Sequence, residues 1–335
     1  MPKKPALFRS PITLVAERWT PTRRVLRRAT LAALVMSVVI VVTGGAVRLT
    51  GSGLGCDTWP KCTDDSLFAT PEMGLHGAIE FGNRMLTYVL CAAVGWAIVA
   101  ARSAKPARRG LSRLAWAQFW VVMGNAVLGG VTVLTGLNPY SVAGHFLLAT
   151  ALITLALITW HRAGEGDGPA RPLVGPRVRQ LTVALVAVTA ALVVAGTVVT
   201  GAGPHAGDSS EIPRIPLDWE SVTRVHAALA WAVVALTAGL WLLLRVMDAP
   251  AGPRARVRDL SIVLASQIVV GYAQYLTDVP ELLVGIHLFG STLVWIAVLR
   301  VLLALRERGP APAAPAVPAT RTDTTAQARE VAETA

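Results

Sequence analysis

The sequence predicts an all-α integral membrane protein: eight transmembrane helices forming two pseudo-symmetric four-helix bundles, with both chain ends in the cytoplasm. Three observations carry this reading. Of the 335 residues, 53% are hydrophobic and only 15% are charged, against about 25% charged in an average soluble domain. The apolar residues gather into eight runs, each close to the roughly 20 residues that cross a hydrocarbon core. The basic residues collect in alternate connections between those runs, as the positive-inside rule requires.

In chain order, a basic cytoplasmic segment, 1–28, carries Lys3, Lys4, Arg9, Arg18, Arg23, Arg24, Arg27 and Arg28. It precedes an apolar run at 29–47 that is too long for a signal-peptide core and is followed by no small-residue cleavage site, so it reads as a retained first span. Further spans fall at 77–101, 114–136 and 141–160, completing an N-terminal half over 29–160. A cytoplasmic linker, 161–179, leads to spans at 180–200, 223–244, 260–277 and 282–299, the C-terminal half over 180–300. The connections 137–140 and 278–281 are short and each holds a proline, which makes hairpins of the third with the fourth span and the seventh with the eighth. The segment 301–335 is expected to be a disordered cytoplasmic tail, Ala-, Pro- and Thr-rich from Pro310 onward and without apolar periodicity.

The orientation follows from the 31 Lys and Arg residues, of which 26 lie in the ends and connections assigned to the cytoplasm. The opposite loops hold Arg48, Lys61 and Arg214, while Arg84 and Arg224 lie near the outer ends of their spans. This interrupted pattern also explains the net charge of +11 without nucleic acid, which would need the basic residues gathered on one face or tail. Cys91, inside a span, reads as a small buried hydrophobe. Cys56 and Cys62, in the outer loop CDTWPKC, lie where disulfides form, and either a small closed loop or two unpaired thiols fits the sequence.

A faint repeat relates the halves. TGSG at 50–53 is echoed by TGAG at 200–203, and His145 follows Thr135 by ten residues as His287 follows Thr277. Four helices per repeat imply an axis along the membrane normal. Among the six histidines, His161 reads as a surface residue, His205 lies in an outer loop and His76 precedes the second span. His145, His226 and His287 lie inside spans, each about 9 Å below the outer surface by helical rise. Intramembrane ionisable groups are costly and point to function, although a ring bonded across a helix interface is the simpler reading of any single one. Two imidazoles on facing helices can serve as axial ligands of a heme iron, and His226 with His287 is the natural pair. The first half offers His145, with Glu80, Asn83 and Arg84 on the second span in IEFGNRMLTY. Glu80 and Arg84, one turn apart, either neutralise each other or meet a substrate group and a heme propionate. Asn83 does not replace an imidazole as a strong iron ligand, so a heme there would have one fixed ligand and could enter and leave.

Over about 29–300 these motifs together resemble the heme A synthase family of bacterial and mitochondrial inner membranes. TGSGLGCDTWPKC is similar to its first outer loop, EFGNR to its second-span signature, and VAGHF, VTRVH and VGIH to the segments bearing its ligands. The resemblance implies oxidation of the C8 methyl of heme O, in two hydroxylations, to the formyl group of heme A for cytochrome oxidase. It implies Glu80 as the catalytic residue, His145 with Asn83 and Arg84 at the substrate heme, and a heme b cofactor held by His226 and His287. It places the heme sites toward the outer face of a bacterial cell membrane. Asn83 stands where the family has a histidine, leaving His145 alone or His145 helped by His76; the loop 201–221 lacks the cysteine pair some members have. The partners expected are heme O, the lipid bilayer, an unidentified electron-transfer partner, heme O synthase and further copies of the chain. The rival readings are a diheme b-type carrier that oxidises quinol and a transporter of heme or a small solute.

Overall fold

The computed structural model describes residues 11–309; Lys3, Lys4 and Arg9 of the basic segment, and the tail from Pro310 onward, lie outside the described residues. The described chain forms α1 (Pro11–Arg18), α2 (Arg23–Leu49), α3 (Gly74–Ser103), α4 (Arg109–Leu134), α5 (Pro139–Gly164), α6 (Pro176–Ala202), α7 (Trp219–Val246), α8 (Ala251–Leu276) and α9 (Glu281–Leu303), with two short strands, β1 (Ala170–Pro172) and β2 (Arg306–Arg308). Three of the long helices, α2, α5 and α7, begin before their apolar cores at a capping side chain. Thr22 accepts from the Val25 N–H at 3.3 Å and starts α2. Asp218 accepts from the Ser221 N–H at 2.8 Å and starts α7, and these bonds hold its exposed carboxyl below the usual carboxylate range.

Seven helices, α2 to α7 and α9, are long and apolar enough to cross a membrane, which makes this a multi-pass membrane protein. The helix α8 has 26 residues but does not share their composition. Arg254, Arg256, Arg258 and Asp259 crowd its start, and Gln267 and Gln274 interrupt its apolar stretch.

The helix pairings of one half recur in the other. Helix α2 packs on α3 and α5, and α4 packs on the same two; α6 packs on α7 and α9, and α8 packs on those two. The sets meet through α2 with α9, α5 with α6, and α5 with α9. The hairpin turns repeat to the residue. Gly136 and Leu137 have φ of 59° and 54°, and Asp278 and Val279 have φ of 56° and 52°. The Leu137 N–H donates to the Thr132 carbonyl at 2.9 Å, as the Val279 N–H does to Gln274 at 2.7 Å.

Packing is concentrated at the end of the molecule away from the disulfide loop, here called the tail end. In the first half Ala29, Ala33, Ala97, Ala101 and Ala115 are buried among Leu26, Val94 and Leu111, small residues that let helices approach closely where lipid gives no hydrophobic drive. In the second half Val178, Leu185, Val257 and Val298 build the equivalent core. A third cluster, with Leu34, Ala156, Leu157 and Leu299, joins the halves, and the Trp295 indole donates across them to Thr154 at 2.9 Å. The other end, the loop end, is built differently. None of residues 190–200, 219–232, 265–276 and 281–289 is buried, and the same holds for 81–89, 123–129 and 140–148.

Both ends are tied across the halves. At the loop end Cys56 and Cys62 form a disulfide with Cα atoms 4.5 Å apart, which settles the alternatives left by sequence. The Gly53 N–H donates to the Gly207 carbonyl at 2.8 Å, and the Arg48 guanidinium donates to the Thr200 and His205 carbonyls at 3.1 and 2.6 Å. At the tail end β1 pairs antiparallel with β2, Ala170 opposite Arg308. Residues 301–309, expected at the head of a disordered tail, are therefore the end of α9 and then a strand. The short α1, which packs on α3, likewise adds structure within the basic segment.

Gly55 is the tightest point of the loop: a Cβ there would lie 2.3 Å from the His76 carbonyl oxygen, a backbone atom with no freedom to retreat. Gly55→Ala is expected to cost about 1–3 kcal/mol, the range of overpacked sites, and to lower the thermal midpoint of the purified protein. An unchanged midpoint would show that the loop is not seated on α3 in this way.

Candidate functional site

The site starts at the first turns of α3. Glu80, 5% exposed, projects from the helix into the backbone of the disulfide loop. Its Oε2 accepts the Cys56 N–H at 2.6 Å, and its Oε1 accepts from Arg84 Nη2 at 2.6 Å and Nε at 3.2 Å. Arg84, one turn on, also donates to the carbonyls of Lys61, Cys56 and Thr58 at 2.9, 3.2 and 3.0 Å. The two side chains do neutralise each other, and they also grip the loop: all three hydrogen bonds of the guanidinium outside the pair go to the seven-residue ring closed by the disulfide. A cation and an N–H that both face a buried carboxylate offset part of the cost of burying it.

The loop in turn covers α4. The Trp59 ring lies on Gly130, where a Cβ would stand 2.4 Å from Cδ2. The next residue, Gly129, faces His145 of α5, and a Cβ there would stand 3.0 Å from the ring Cε1. Asn83 is spoken for on one side: its Oδ1 accepts from the Thr43 hydroxyl of α2 at 2.7 Å, which leaves its two amide N–H groups as donors. His76 is held at the loop, its Nδ1 2.9 Å from the Ser52 hydroxyl. Among the described residues no hydrogen bond, ion pair or ring contact joins His145 to Glu80, Asn83, Arg84 or His76.

In the second half His226 of α7 and His287 of α9 face each other, ring centroids 6.3 Å apart and planes at 70°. Each is set against a glycine of a neighbouring helix. A Cβ on Gly196 would stand 3.2 Å from His226 Cε1, and one on Gly271 3.7 Å from His287 Cε1. The Nδ1 atoms of His145, His226 and His287 are all buried without a hydrogen-bond partner, while the backbone of Asn125 and of Leu192 approaches the first two rings. The remaining histidines do other work: His161 pairs with Glu165 at 3.3 Å, and His205 Nε2 lies 2.7 Å from the Val279 carbonyl oxygen, fixing the loop before α7 on the last hairpin.

The glycines were missed from sequence, yet they left a trace. Gly129 precedes His145 by the same interval at which Gly271 precedes His287. The pair of Gly196 with His226 has its counterpart in Gly44 with Asn83, where a Cβ would stand 4.0 Å from Nδ2. The halves therefore share four ring-against-glycine positions, three filled by imidazole and one by an amide. Thr43, Trp59 and Ser52, which brace the first-half residues, carry no sequence signal because their contacts span tens of residues.

These residues fit a heme. Two imidazoles bonded to one metal through nitrogens at about 2.0 Å each stand roughly 6 Å apart, centre to centre, which matches the His226–His287 spacing. A ligating imidazole commonly donates its other N–H to a carbonyl, and the backbone of Asn125 and of Leu192 lies near the rings of His145 and His226. The helix segments that bear or face the imidazoles, 123–129, 140–148, 219–232, 265–276 and 281–289, hold no buried residue.

Residues 27–299 match the family described as cytochrome oxidase assembly protein, COX15-CtaA. The chain is similar to "Heme A synthase" of Symbiobacterium thermophilum, 27% identical over 145 residues, covering 43% of this chain and 46% of that protein. It is similar to proteins of the same name from Bacillus pumilus, 27% identical over 59% of this chain and 70% of that protein, and from Listeria welshimeri, 27% identical over 76% and 85%. The chain thus spans about half the length of the Symbiobacterium relative and most of the other two.

Arg84→Gln removes the cation from a buried pair, a change worth roughly 3–5 kcal/mol where the partner stays buried, together with three bonds to the loop. Dithiothreitol is expected to reduce Cys56–Cys62 at least ten times faster in this variant, followed by alkylation and mass shift. A rate within twofold of wild type would show that Arg84 does not hold the loop.

Proposed function

The chain belongs to the cytochrome oxidase assembly protein family COX15-CtaA, and from that premise we propose that it is a heme A synthase, oxidising the C8 methyl of heme O to the formyl group of heme A. The observation that carries the reading is the inequality of the halves: a facing imidazole pair in the second, and in the first a single imidazole, with an amide at the matching glycine position and a buried carboxylate on the helix that carries the amide. Two fixed ligands suit a resident group, whereas a single fixed ligand suits a heme that must be released.

The architecture proposed is eight spans, with α8 as the seventh, in two pseudo-symmetric four-helix bundles; the matching helix pairings and hairpins support it. The charge distribution supports a loop end outside the cytoplasm and chain ends within it. We assign 29–160 as the substrate half, 180–300 as the half for heme b, and 161–179 as the linker between them.

In this reading His226 and His287 ligate heme b, which when bound supplies one-electron transfer. His145 holds the iron of the substrate heme O, with the free amide donors of Asn83 toward its polar edge and Arg84 toward a propionate. Glu80 is assigned to accept protons released as the methyl group is hydroxylated. To do so one of its oxygens must let go of the Cys56 N–H or of Arg84, so proton transfer and the seating of the disulfide loop are linked. His76, bonded to Ser52, supports the loop, and His145 serves as the fixed ligand alone. An outside electron-transfer partner, a heme O synthase that delivers substrate, and self-association in the bilayer belong to the same proposal.

Glu80→Gln keeps an oxygen to accept the Cys56 N–H, so the loop stays seated while the proton acceptor is lost. In cells supplied with heme O, the heme A recovered from this variant is expected to fall at least a hundredfold, the scale of general acid–base contributions, with normal disulfide protection; undiminished heme A would sink the role. His287→Ala is expected to abolish the b-type reduced-minus-oxidised spectrum, and a full-strength signal would overturn the ligand assignment. Wild-type protein that retains two b hemes would instead be the quinol-oxidising carrier, and one that retains none in heme-replete cells would be the transporter.

A further inference from the structure

A cavity lies at the tail end, away from the intramembrane histidines. It has a volume of about 520 Å³, and its lining comes from both halves: Arg27 and Trp160 from the first, Arg256 and Arg300 from the second. That volume is in the range of small-molecule sites. Arg27 lies 5.8 Å from the centre of the Trp160 ring and has no carboxylate partner among the described residues. Arg256 and Arg300 share one acid, Asp259, at 3.1 and 4.0 Å, and Arg258 draws on it too, at 3.4 Å. Of the two acids on the wall, Glu165 is taken by His161 and Arg162, each at 3.3 Å. The other, Glu307, sits on β2 between Arg306 and Arg308. The first turn of α8 also opens here, at Gly252 and Pro253, and the positive end of its helix dipole favours an anion.

Three guanidiniums that outnumber their acids, converging with a helix N-terminus beside an indole, make a site for a compact dianion or monoanion with several oxygens. Guanidinium geometry suits phosphate, which it meets with paired N–H donors. The positive-inside charge pattern faces this end toward the anionic leaflet, where basic pockets between spans take lipid headgroups.

We propose that this cleft binds a phosphate group, supplied by the headgroup of an anionic phospholipid, which bridges the two halves at their tail ends. The site uses the orientation given above and none of the heme chemistry. Its occupation holds α2 and α5 against α8 and α9 where those helices carry like charges.

The test is native mass spectrometry of the full chain purified in detergent and titrated with phosphatidylglycerol, phosphatidylcholine or inorganic phosphate. Wild type is expected to hold one phosphatidylglycerol at least ten times more tightly than phosphatidylcholine. The double variant Arg27→Gln with Arg300→Gln should lose that preference at least tenfold, while Arg102→Gln with Arg179→Gln, of equal charge but outside the cleft, keeps it. Binding of inorganic phosphate that follows the same variants, without lipid preference, would support the phosphate site and name free phosphate as its source. Equal retention of the two lipids with no phosphate binding, or equal losses in both double variants, would overturn the proposal. Should the first double variant not purify, Glu307→Arg is expected to raise phosphatidylglycerol occupancy at least threefold at subsaturating lipid, and no rise would count against the site.

Discussion

Helices side by side in hydrocarbon gain nothing from hiding apolar surface, so their association must come from close contact and from bonds between polar groups. This chain meets that constraint almost entirely at one end. Alanines at 29, 33, 97, 101 and 115 draw the first three long helices together, with Leu152 and Ala163 adding the fourth, a valine- and leucine-rich core does so for the last four, and Leu34, Leu157 and Leu299 weld the two sets. Because the tail end carries this load, the helices at the loop end are free to stand apart around their imidazoles. A uniformly packed bundle of the same length would have stability to spare and no room for a flat group between its helices.

At the loop end, glycine decides what stands where. Each intramembrane ring faces a residue with no side chain, Gly129, Gly196 or Gly271, so the imidazole is held by a helix backbone and not by a neighbour's rotamer. The fourth such place, Gly44 opposite Asn83, keeps the geometry and changes the chemistry. One substitution in a repeated frame is enough to turn a position suited to a permanent ligand into one that offers only hydrogen bonds. The polar group Glu80 reaches in from the helix start and is bound to the loop backbone, so the first half is organised around the disulfide loop where the second is organised around its facing imidazoles.

Much of this was readable from the chain, for identifiable reasons. Spans follow from runs of apolar residues, and the two hairpins from prolines at 139 and 280, because both signals are local. The pairing of His226 with His287 follows from their places in the sixth and eighth spans of one half, and the rings do face each other. The Cys56–Cys62 bond was one of two alternatives and needed the fold to decide it. What sequence could not supply was contact between distant segments: Glu80 with the Cys56 N–H, Trp59 on Gly130, and Thr43 with Asn83. The strand β2 escaped because three residues of pattern Arg-Glu-Arg carry no strand signal until β1 lies beside them. The helix α8 marks the opposite limit, since its arginines and glutamines weaken the apolar signal of a helix as long as its neighbours.

The pairing of β1 with β2 also sets an order of events in synthesis. Residues 170–172 leave the ribosome before any helix of the second half, whereas their partners, 306–308, follow the last one. Through the making of α6 to α9 the linker edge stays unpaired, and the two halves are joined by a single strand of chain. Domains fold from the N-terminus as they emerge, so the first half can settle while the second is still entering the bilayer. The closing strand then registers completion: a chain truncated within α9 would insert most of its spans and still lack the clasp that fastens its halves together.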